Sequence, residues 1–465
     1  MFAALTKPYI LRGWKHATCE LIDLHNYQLR NVDRAGFELL LLCDGETEMD
    51  QYLYSPAMKA RLDEYVKNGY VRLCEHAEPV HPIQRYRKYD NCKMESIQWS
   101  VTGRCNYRCR HCYMDAPGAR MEDLTTEQCF SIIDQMAECG VLRVSLTGGE
   151  PLIRRDFMQI IDRLNEKRIL TDTIYTNGWL VTDELLDALE QRGLKPAFDM
   201  SYDGLGWHDW MRGVQGAENA VQDAIRRCVS RGFPVNIALC LHGGNKETLR
   251  DSVLYLASAG VNTIKVSGVE RTTLWRKNAE GNDMDIHEYI DAALGYIPYF
   301  FMDGMPVDLM LCKIVWLHKG KTDYECIPFR CDGTDKADRV RLCGAFRSEG
   351  YIAPDGRMVP CMPMLDSDKL DRFPNILETG LKAALSDSFY MDYISSRLPA
   401  LLERNAECRD CPYVRECCAG CRANAVLGPD QDLWAPDRNA CILWKEGYVD
   451  RIRKVTDQAI KNYIN

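Results

Sequence analysis

Alternating strand-like and helix-like segments fill residues 96 to 310 of this 465-residue chain. Between the strand-like segments lie amphipathic stretches typical of helices, and one begins at Thr125 with Gln128 at the spacing of a capping box. The strand-like segments are SIQWSV, VLRVSLT, ILTDTIYT, PAFDMS, VNIALCL and NTIKVSG. Six strand–helix units in succession predict an α/β fold whose parallel sheet is curved into a partial (β/α)6 barrel.

Two zones of different character flank this region, and the length of the chain also favours more than one domain. The N-terminal zone is a mixture of short strands and helices, and the C-terminal zone is loop-like and rich in cysteine. We therefore expect three domains, at residues 1–90, 91–315 and 316–465.

The N-terminal zone carries clear helix signals between β-prone pieces. One helix is predicted from the N-cap Asp33 to the Asp44-Gly45 pair, where glycine favours the end of a helix. A second is predicted from Ser55 to Asn68, with proline in its first turn. A strand, YVRLCE, follows, and this order predicts a winged-helix-like unit.

Charge, hydropathy and cysteine content restrict the class of protein. The formal net charge of -9 argues against a nucleic-acid partner. No apolar run reaches membrane-spanning length, and the first residues lack the pattern of a signal peptide, so we expect a cytoplasmic protein without a membrane partner. In a reducing compartment, 22 cysteines suggest metal ligation more than disulfides.

Three cysteines follow the first predicted strand, at the end where barrel enzymes place their sites. Cys105, Cys109 and Cys112 form a CxxxCxxC loop. Three thiolates can hold a four-iron cluster and leave one iron open for a chelating small molecule. The spacing alone also allows a zinc site completed by the adjacent His111, or unliganded thiols.

The stretch CNYRCRHCY, followed one strand later by LTGGEPL, resembles the radical S-adenosylmethionine (SAM) superfamily. The resemblance implies that Cys105, Cys109 and Cys112 bind a [4Fe-4S] cluster whose open iron takes SAM. It also implies one-electron cleavage of SAM to a 5′-deoxyadenosyl radical that abstracts hydrogen from a substrate. The residues it places around SAM are Tyr113, Gly148, Gly149, Glu150, Pro151, Asn177, Ser201, Asp203 and Arg212.

The cysteines of the C-terminal zone resemble the SPASM extension of radical SAM enzymes, which implies two auxiliary [4Fe-4S] clusters and three in all. One cluster would be held by Cys408, Cys411, Cys417 and Cys441. The other would be held by Cys343, Cys361 and Cys421 with a fourth ligand upstream. Cys331 is the first choice for that ligand and Cys326 is the second. Without that ligand the cluster has an open iron where a substrate thiolate could bind.

Residues 19–70 resemble the precursor-recognition domain of peptide-modifying enzymes. With the radical SAM and SPASM features, this implies a maturase of ribosomally made precursor peptides, most similar to the thioether-forming enzymes of sactipeptides and ranthipeptides. An electron donor such as ferredoxin or flavodoxin is implied. Sulfatase maturation is disfavoured because Met362 stands where those relatives carry an aspartate.

Two alternatives stay open. The first is carbon–carbon crosslinking, epimerisation or decarboxylation of a peptide by a radical SAM enzyme. The second, from another class, is a metal-dependent peptide-binding protein without catalytic activity.

Overall fold

The computed structural model describes residues 1–53, 55–116, 121, 123–269, 273–344 and 349–464. The chain divides into two compact units. Unit 1 comprises Met1–Glu95 with Gln135–Arg143, and unit 2 comprises Ser96–Asp134 with Val144–Asn465. A finer division of unit 2 near residue 315 stays a prediction.

Residues 1–95 of unit 1 form two small sheets and two α-helices in the part of the chain that the structure describes. Asp33 accepts a hydrogen bond from the Gly36 amide and Ser55 from the Met58 amide, so both predicted N-caps are confirmed. Strands pair in the orders β5-β1-β6 and β4-β3-β2-β7. The elements are β1 (Phe2–Leu5), β2 (Tyr9–Trp14), β3 (Ala17–Asp23), β4 (Leu29–Asn31), α1 (Arg34–Leu42), β5 (Asp44–Glu48), α2 (Pro56–Lys67), β6 (Val71–Cys74) and β7 (Arg87–Lys88).

The core of unit 1 lies between the helices and the three-stranded sheet. Leu39 of α1 and Leu62 of α2 pack in one apolar cluster with Ala3, Leu5 and Val71 of the strands. Removing this apolar surface from water is the main favourable term holding the elements together.

Unit 2 is built on an eleven-stranded sheet with the order β16-β15-β14-β13-β12-β11-β10-β9-β8-β17-β18. Neighbours from β10 to β14 pair in parallel, and β17 adds in parallel to β8. The predicted α/β fold with a parallel sheet is confirmed, and all six predicted strands are present. The strands are β8 (Ser96–Ser100), β9 (Arg143–Thr147), β10 (Leu170–Thr176), β11 (Ala197–Ser201), β12 (Val235–Leu241), β13 (Thr263–Gly268), β14 (Asp308–Leu311), β15 (Val315–Leu317), β16 (Tyr324–Cys326), β17 (Glu349–Ile352) and β18 (Met358–Val359).

Helices connect the parallel strands and fill the C-terminal zone. The capping box at the start of α3 is confirmed, because the Thr125 amide donates to Gln128 Oε1 and the Gln128 amide to Thr125 Oγ1. The first group is α3 (Thr126–Cys139), α4 (Phe157–Glu166), α5 (Asp183–Gln191), α6 (His208–Arg212), α7 (Ala217–Ser230), α8 (Leu249–Ser258), α9 (Thr273–Asn278) and α10 (Ile286–Met302). The second group is α11 (Ile376–Thr379), α12 (Leu381–Ala384), α13 (Ser388–Ser395), α14 (Leu398–Arg404), α15 (Ala406–Arg409), α16 (Val414–Cys417), α17 (Arg422–Leu427), α18 (Arg438–Lys445) and α19 (Tyr448–Ile464).

The strand alternation gives the sheet two different faces. In β11, Phe198 and Met200 are fully buried, whereas Asp199 and Ser201 on the other face are only partly buried. Because parallel strands end at a common edge, the loops after β8 to β12 meet there. Among the described residues, no helix has both the length and the apolar character needed to cross a membrane.

Candidate functional site

The cysteine loop after β8 brings three thiols together. The Cys105 sulfur accepts from the Tyr107 amide at 3.4 Å, and the Cys112 sulfur accepts from the Ala116 amide at 3.5 Å. The Cys109 sulfur accepts from Arg212 Nη1 at 3.7 Å. Backbone amides and a guanidinium are donors that stabilise sulfur as thiolate.

Burial opposes ionisation of these thiols. Together with the neighbouring Cys109 and Cys112, burial raises the pKa of Cys105 to about 12. Burial likewise raises the pKa of Cys109, while Arg212 lowers it. Three thiolates so close together repel one another unless a bound cation compensates their charge, which is the donor set that an iron cluster requires.

The GGEP loop after β9 lies against the cysteine loop. The Gly149 amide donates to Thr102 O at 2.9 Å, and the Glu150 amide donates to Arg104 O at 2.8 Å. A Cβ on Gly149 would lie 2.1 Å from Arg104 O, so only glycine permits this approach. The same applies to Gly148, whose Cβ would lie 2.6 Å from Thr102 O. In the structure these glycines therefore serve the contact between two loops.

The Glu150 carboxylate joins the ends of two strands. It accepts from the Asn177 amide at 2.8 Å, from Thr176 Oγ1 at 2.9 Å and from the Leu152 amide at 3.1 Å. Burial raises the pKa of Glu150 to about 7, although these three hydrogen bonds favour the ionised form. Pro151 begins the short turn that Glu150 caps.

Asp203 and Arg212 form a buried ion pair beside the cysteine loop. Arg212 Nε donates to Asp203 Oδ2 at 2.6 Å, and the Cys240 amide donates to Asp203 Oδ1 at 3.2 Å. Burial alone would raise the pKa of Asp203, but the Arg212 guanidinium, helped by His208, outweighs it and holds the pKa well below its usual range. Arg212 therefore places a positive charge beside the Cys109 sulfur, while its Nε is hydrogen-bonded to Asp203.

The other predicted site residues lie at the same edge of the sheet. Asn177 Nδ2 donates to Asn106 Oδ1 at 2.7 Å and lies 4.0 Å from the Cys105 sulfur. Tyr113 lies beside Tyr351 of β17, and burial raises its pKa well above the ordinary range. Ser201 is the last residue of β11, and its side chain is partly buried.

Sequence reasoning missed Tyr107, which lies within the cysteine loop. Its side chain is 1% exposed, yet its hydroxyl has no hydrogen-bond partner in the described part of the chain. Burial raises its pKa, and the groups acting on it include Arg212, Glu150 and Cys109. An unpartnered buried hydroxyl among predicted ligand-binding groups indicates a place for a bound polar molecule. No sequence pattern marks this residue.

The partly buried face of the sheet is polar near the site. The strand register aligns Tyr175 with Asp199, and Ser201 with Ala238 and Lys265. Burial raises the pKa of Asp199 to about 6, while the Lys265 ammonium lowers it. A carboxyl and an ammonium on one face can contact the amide groups and charged ends of a polar substrate.

The four cysteines that the sequence assigns to one auxiliary cluster line a single cavity in the C-terminal zone. Its walls include Trp444 and Asp437. The sequence-predicted ligands in its lining are Cys408, Cys411, Cys417 and Cys441. Burial raises the pKa of Cys417 to about 12, with Cys441 adding to the effect, so these thiols lie close to one another.

A second group of thiols forms nearby in the same zone. Burial raises the pKa of Cys361, and the neighbouring Cys421 and Cys343 raise it further. The buried Tyr390 lies beside Cys343 and Cys361. Three predicted ligands of the other auxiliary cluster are thus brought together.

The two upstream candidates for the fourth ligand differ in position. Arg330, directly before Cys331, donates to Leu342 O at 2.7 Å and to Gly420 O at 3.0 Å. Leu342 directly precedes Cys343 in sequence, and Gly420 directly precedes Cys421. Cys326 instead belongs to β16, and burial raises its pKa to about 11 while Arg453 of α19 lowers it.

Comparison with known proteins gives matches that cover the sheet and beyond. A sequence profile described as Radical SAM superfamily matches residues 99–256. The chain is 36% identical to a probable GTP 3′,8-cyclase of Methanothermobacter marburgensis over 322 residues, which cover 65% of this chain and 95% of the relative. It is 24% identical to the sporulation killing factor maturation protein SkfB of Bacillus subtilis over 264 residues, 56% of this chain and 59% of the relative. The chain spans about half the length of several other curated relatives, from 42% to 58%.

Solved structures with a similar fold extend over nearly the whole chain. SuiB of Streptococcus suis bound to S-adenosylmethionine matches with a TM-score of 0.64 at 17% identity, covering 94% of this chain and 99% of SuiB. SuiB bound to the precursor peptide SuiA matches with a TM-score of 0.62 at 15% identity, covering 92% of this chain and 98% of SuiB. At these identities the likeness establishes the fold.

Proposed function

Because the chain belongs to the radical SAM superfamily, we propose that it is an enzyme that modifies a ribosomally made precursor peptide. The observation that carries the proposal is the cysteine loop, held against the GGEP loop at the carboxyl edge of a parallel sheet. Structural likeness to SuiB, which has been solved with its precursor peptide, supports a peptide as the substrate class. We place the reaction in the cytoplasm, where the cysteines stay reduced.

The residues at the site are suited to a [4Fe-4S] cluster and SAM. Cys105, Cys109 and Cys112 would hold three irons, and the buried Tyr107 hydroxyl without a described partner offers a hydrogen bond to SAM. Ser201 and Asn177 are the proposed ribose contacts. When bound, these groups supply one-electron cleavage of SAM and abstraction of a hydrogen atom from the substrate.

The chain's own residues position the reactants. Glu150 fixes the turn after β10, so Asn177 is held beside Cys105 before any ligand arrives. Arg212 compensates negative charge on Cys109 while its own charge is satisfied by Asp203. Such preorganised polar groups cost no reorganisation during reaction. Asp199 and Lys265, on the polar face, would orient the peptide.

We further propose two auxiliary [4Fe-4S] clusters in residues 316–465. The cavity lined by Cys408, Cys411, Cys417 and Cys441 supports one of them. Cys343, Cys361 and Cys421 would hold the other cluster. We prefer Cys331 to Cys326 as its fourth ligand, because Arg330 directly precedes Cys331 and is hydrogen-bonded to the residues before Cys343 and Cys421.

The reaction we favour joins a peptide cysteine sulfur to a carbon of an acceptor residue, giving a thioether. The similarity to SkfB, a maturation protein for the sporulation killing factor, supports modification of a peptide. Met362 continues to disfavour sulfatase maturation. Carbon–carbon crosslinking, epimerisation and decarboxylation are the competing outcomes on the same peptide.

Residues 1–90 are the proposed leader-binding domain, and the outer edge of β6 is the proposed contact. The β5 edge of the three-stranded sheet is covered, since the amides of Glu78 and Val80 donate to backbone carbonyls of β5. On β6, Leu73 is 48% exposed beside the exposed Arg72. An extended peptide can add to such a strand through main-chain hydrogen bonds.

Anaerobic co-expression with a cysteine-bearing precursor encoded beside the gene tests this function. Loss of two hydrogen masses per crosslink, with the donor cysteine no longer alkylated, is the expected result. The same loss with every cysteine alkylated would indicate a carbon–carbon bond, one deuterium gained in heavy water would indicate epimerisation, and loss of carbon dioxide would indicate decarboxylation. An unchanged peptide, with no SAM cleavage by the cluster-loaded protein, would instead support a binding protein without catalytic activity.

Cyclisation of a nucleotide is the second candidate function. The 36% identity to a probable GTP 3′,8-cyclase favours it, but that alignment leaves about a third of this chain unmatched. Incubating the reduced protein with SAM and GTP separates the two proposals. Consumption of GTP without modification of any peptide would favour the nucleotide.

A further inference from the structure

Asp199 is a partly buried carboxyl group on the polar face of the parallel sheet. Strand alternation places its side chain on the face opposite the fully buried Phe198 and Met200. Its neighbours in register are Tyr175 on β10 and Asn236 on β12. All three residues of this row are only partly buried, so solvent and a ligand can reach them.

Negative charge predominates around this row. After burial, the groups that raise the pKa of Tyr175 are the carboxyls of Asp199, Glu349 and Asp172. The positive group that acts on Asp199 is the Lys265 ammonium, and Lys265 lies one row nearer the carboxyl edge of the sheet. A ligand that enters this row therefore meets three carboxyl groups and one ammonium group.

A carboxylate in this position costs the unliganded protein free energy. Burial, opposed by the Lys265 ammonium, raises the pKa of Asp199 to about 6. A carboxylate that loses hydration without gaining equally strong hydrogen bonds is destabilised. A positively charged donor on a ligand would offset this loss, because a charge-assisted hydrogen bond is roughly twice as strong as a neutral one.

We propose that Asp199 binds a basic side chain, lysine or arginine, of the precursor peptide close to the residue that is modified. This inference rests on the proposed function and narrows its substrate to peptides with a positive charge in the modified segment. Asp199 precedes Ser201, the proposed ribose contact, on the same face of β11, which separates them by about 7 Å along the strand. The basic side chain would thus anchor the peptide beside the site.

Other ligands fit this row less well. A nucleoside triphosphate is anionic, and the carboxyl groups would repel it. A metal ion needs several converging ligand atoms, and the candidate metal-binding group among the described residues, His111, Asp203 and Cys240, does not include Asp199. A peptide amide would donate a hydrogen bond to Asp199 but leave its negative charge uncompensated.

The test combines enzyme variants with peptide variants. The probe is a synthetic peptide with the sequence of the precursor encoded beside the gene, in which each lysine and arginine is replaced by glutamine, one at a time. The enzymes are wild type, Asp199→Asn and, as the matched control, Asp223→Asn, whose side chain is 54% exposed on α7. Binding to the cluster-loaded enzyme is measured by titration calorimetry, and KM and kcat are measured from the modified peptide.

One basic residue of the peptide should prove to be coupled to Asp199. Its replacement should weaken binding to wild type and raise KM by at least tenfold, because a hydrogen bond between charged groups is lost. The same replacement should change binding to Asp199→Asn less than about twofold, and kcat should stay near that of wild type. Affinity of wild type for the unaltered peptide should rise as pH increases through about 6, where Asp199 ionises, and Asp199→Asn should lack this rise. Asp223→Asn should behave as wild type throughout.

Equal loss of affinity in wild type and Asp199→Asn would place the contact elsewhere and overturn the assignment. A precursor in which no lysine or arginine matters would overturn it as well. A lower kcat with unchanged KM in Asp199→Asn would give Asp199 a part in the chemistry instead of in recognition, which also contradicts the proposal. In each of these cases wild type still modifies the peptide, whereas failure of the proposed function would leave every peptide unmodified.

Discussion

Replacing Gly149 with alanine should separate the two loops that form the site. The added Cβ would lie 2.1 Å from Arg104 O, 2.5 Å from Arg104 C and 3.0 Å from Cys105 Cβ. All of these atoms belong to backbone or to Cys105, a proposed cluster ligand, so no flexible side chain can move aside. The cysteine loop must retreat by roughly 1 Å in a close-packed interior.

The cost follows from the contacts at this point. The Gly149 and Glu150 amides would lose or lengthen their hydrogen bonds to the cysteine loop, at about 1 kcal/mol each. Overpacking adds about 1–3 kcal/mol. We therefore expect Gly149→Ala to lower the unfolding free energy by about 3–5 kcal/mol. We also expect it to displace Cys105 from its position beside Cys109 and Cys112.

Denaturant unfolding and iron content measure the two effects. Gly149→Ala should lose the iron of one cluster and its SAM cleavage, while the auxiliary iron remains. Gly295→Ala is the control, because in the described part of the chain its added Cβ in α10 meets no heavy atom within 4 Å apart from its chain neighbours and the backbone of its own helix. Full iron content with unchanged stability in Gly149→Ala would refute the close approach of the two loops.

Three further predictions follow from the same structure. Cys441→Ala should remove one auxiliary cluster, whereas Cys418→Ala should leave the iron content unchanged; equal iron in both variants would refute the ligand assignment. Asp203→Asn should lower the unfolding free energy by about 3–5 kcal/mol, because it leaves the buried Arg212 charge without its partner, and a melting temperature equal to wild type would contradict that. Burial raises the folded pKa of Asp199 to about 6, so unfolding free energy should fall as pH rises from about 4 through 6. Asp199→Asn should therefore stabilise by at most about 3 kcal/mol above pH 6 and have no effect near pH 4, and a pH-independent effect would contradict this.

The order of elements in unit 2 was predictable because short strands and their connecting helices carry local signals. Thr125 with Gln128, and the β-rich run around Phe198, identify their elements without knowledge of the rest of the chain. The cysteine loop and the GGEP loop could be assigned to one edge, because consecutive parallel strands end on the same side.

Contacts between distant side chains were not predictable. Arg212 reaches Cys109 across 103 residues, and the unpartnered Tyr107 hydroxyl depends on how the loop folds back. The end of α3 belongs to unit 1 because Trp14 and Asn91 both donate to Cys139 O, which no periodicity in α3 reveals. These features depend on tertiary packing rather than on local propensity.

Reductive cleavage of SAM by the iron-loaded protein tests the central claim most directly. With dithionite, the wild-type enzyme should form 5′-deoxyadenosine. A variant with Cys105, Cys109 and Cys112 all replaced by alanine should form none while it keeps its auxiliary iron. Equal 5′-deoxyadenosine from that variant would contradict the assignment of the cysteine loop, as would its absence from a wild-type enzyme with full iron content.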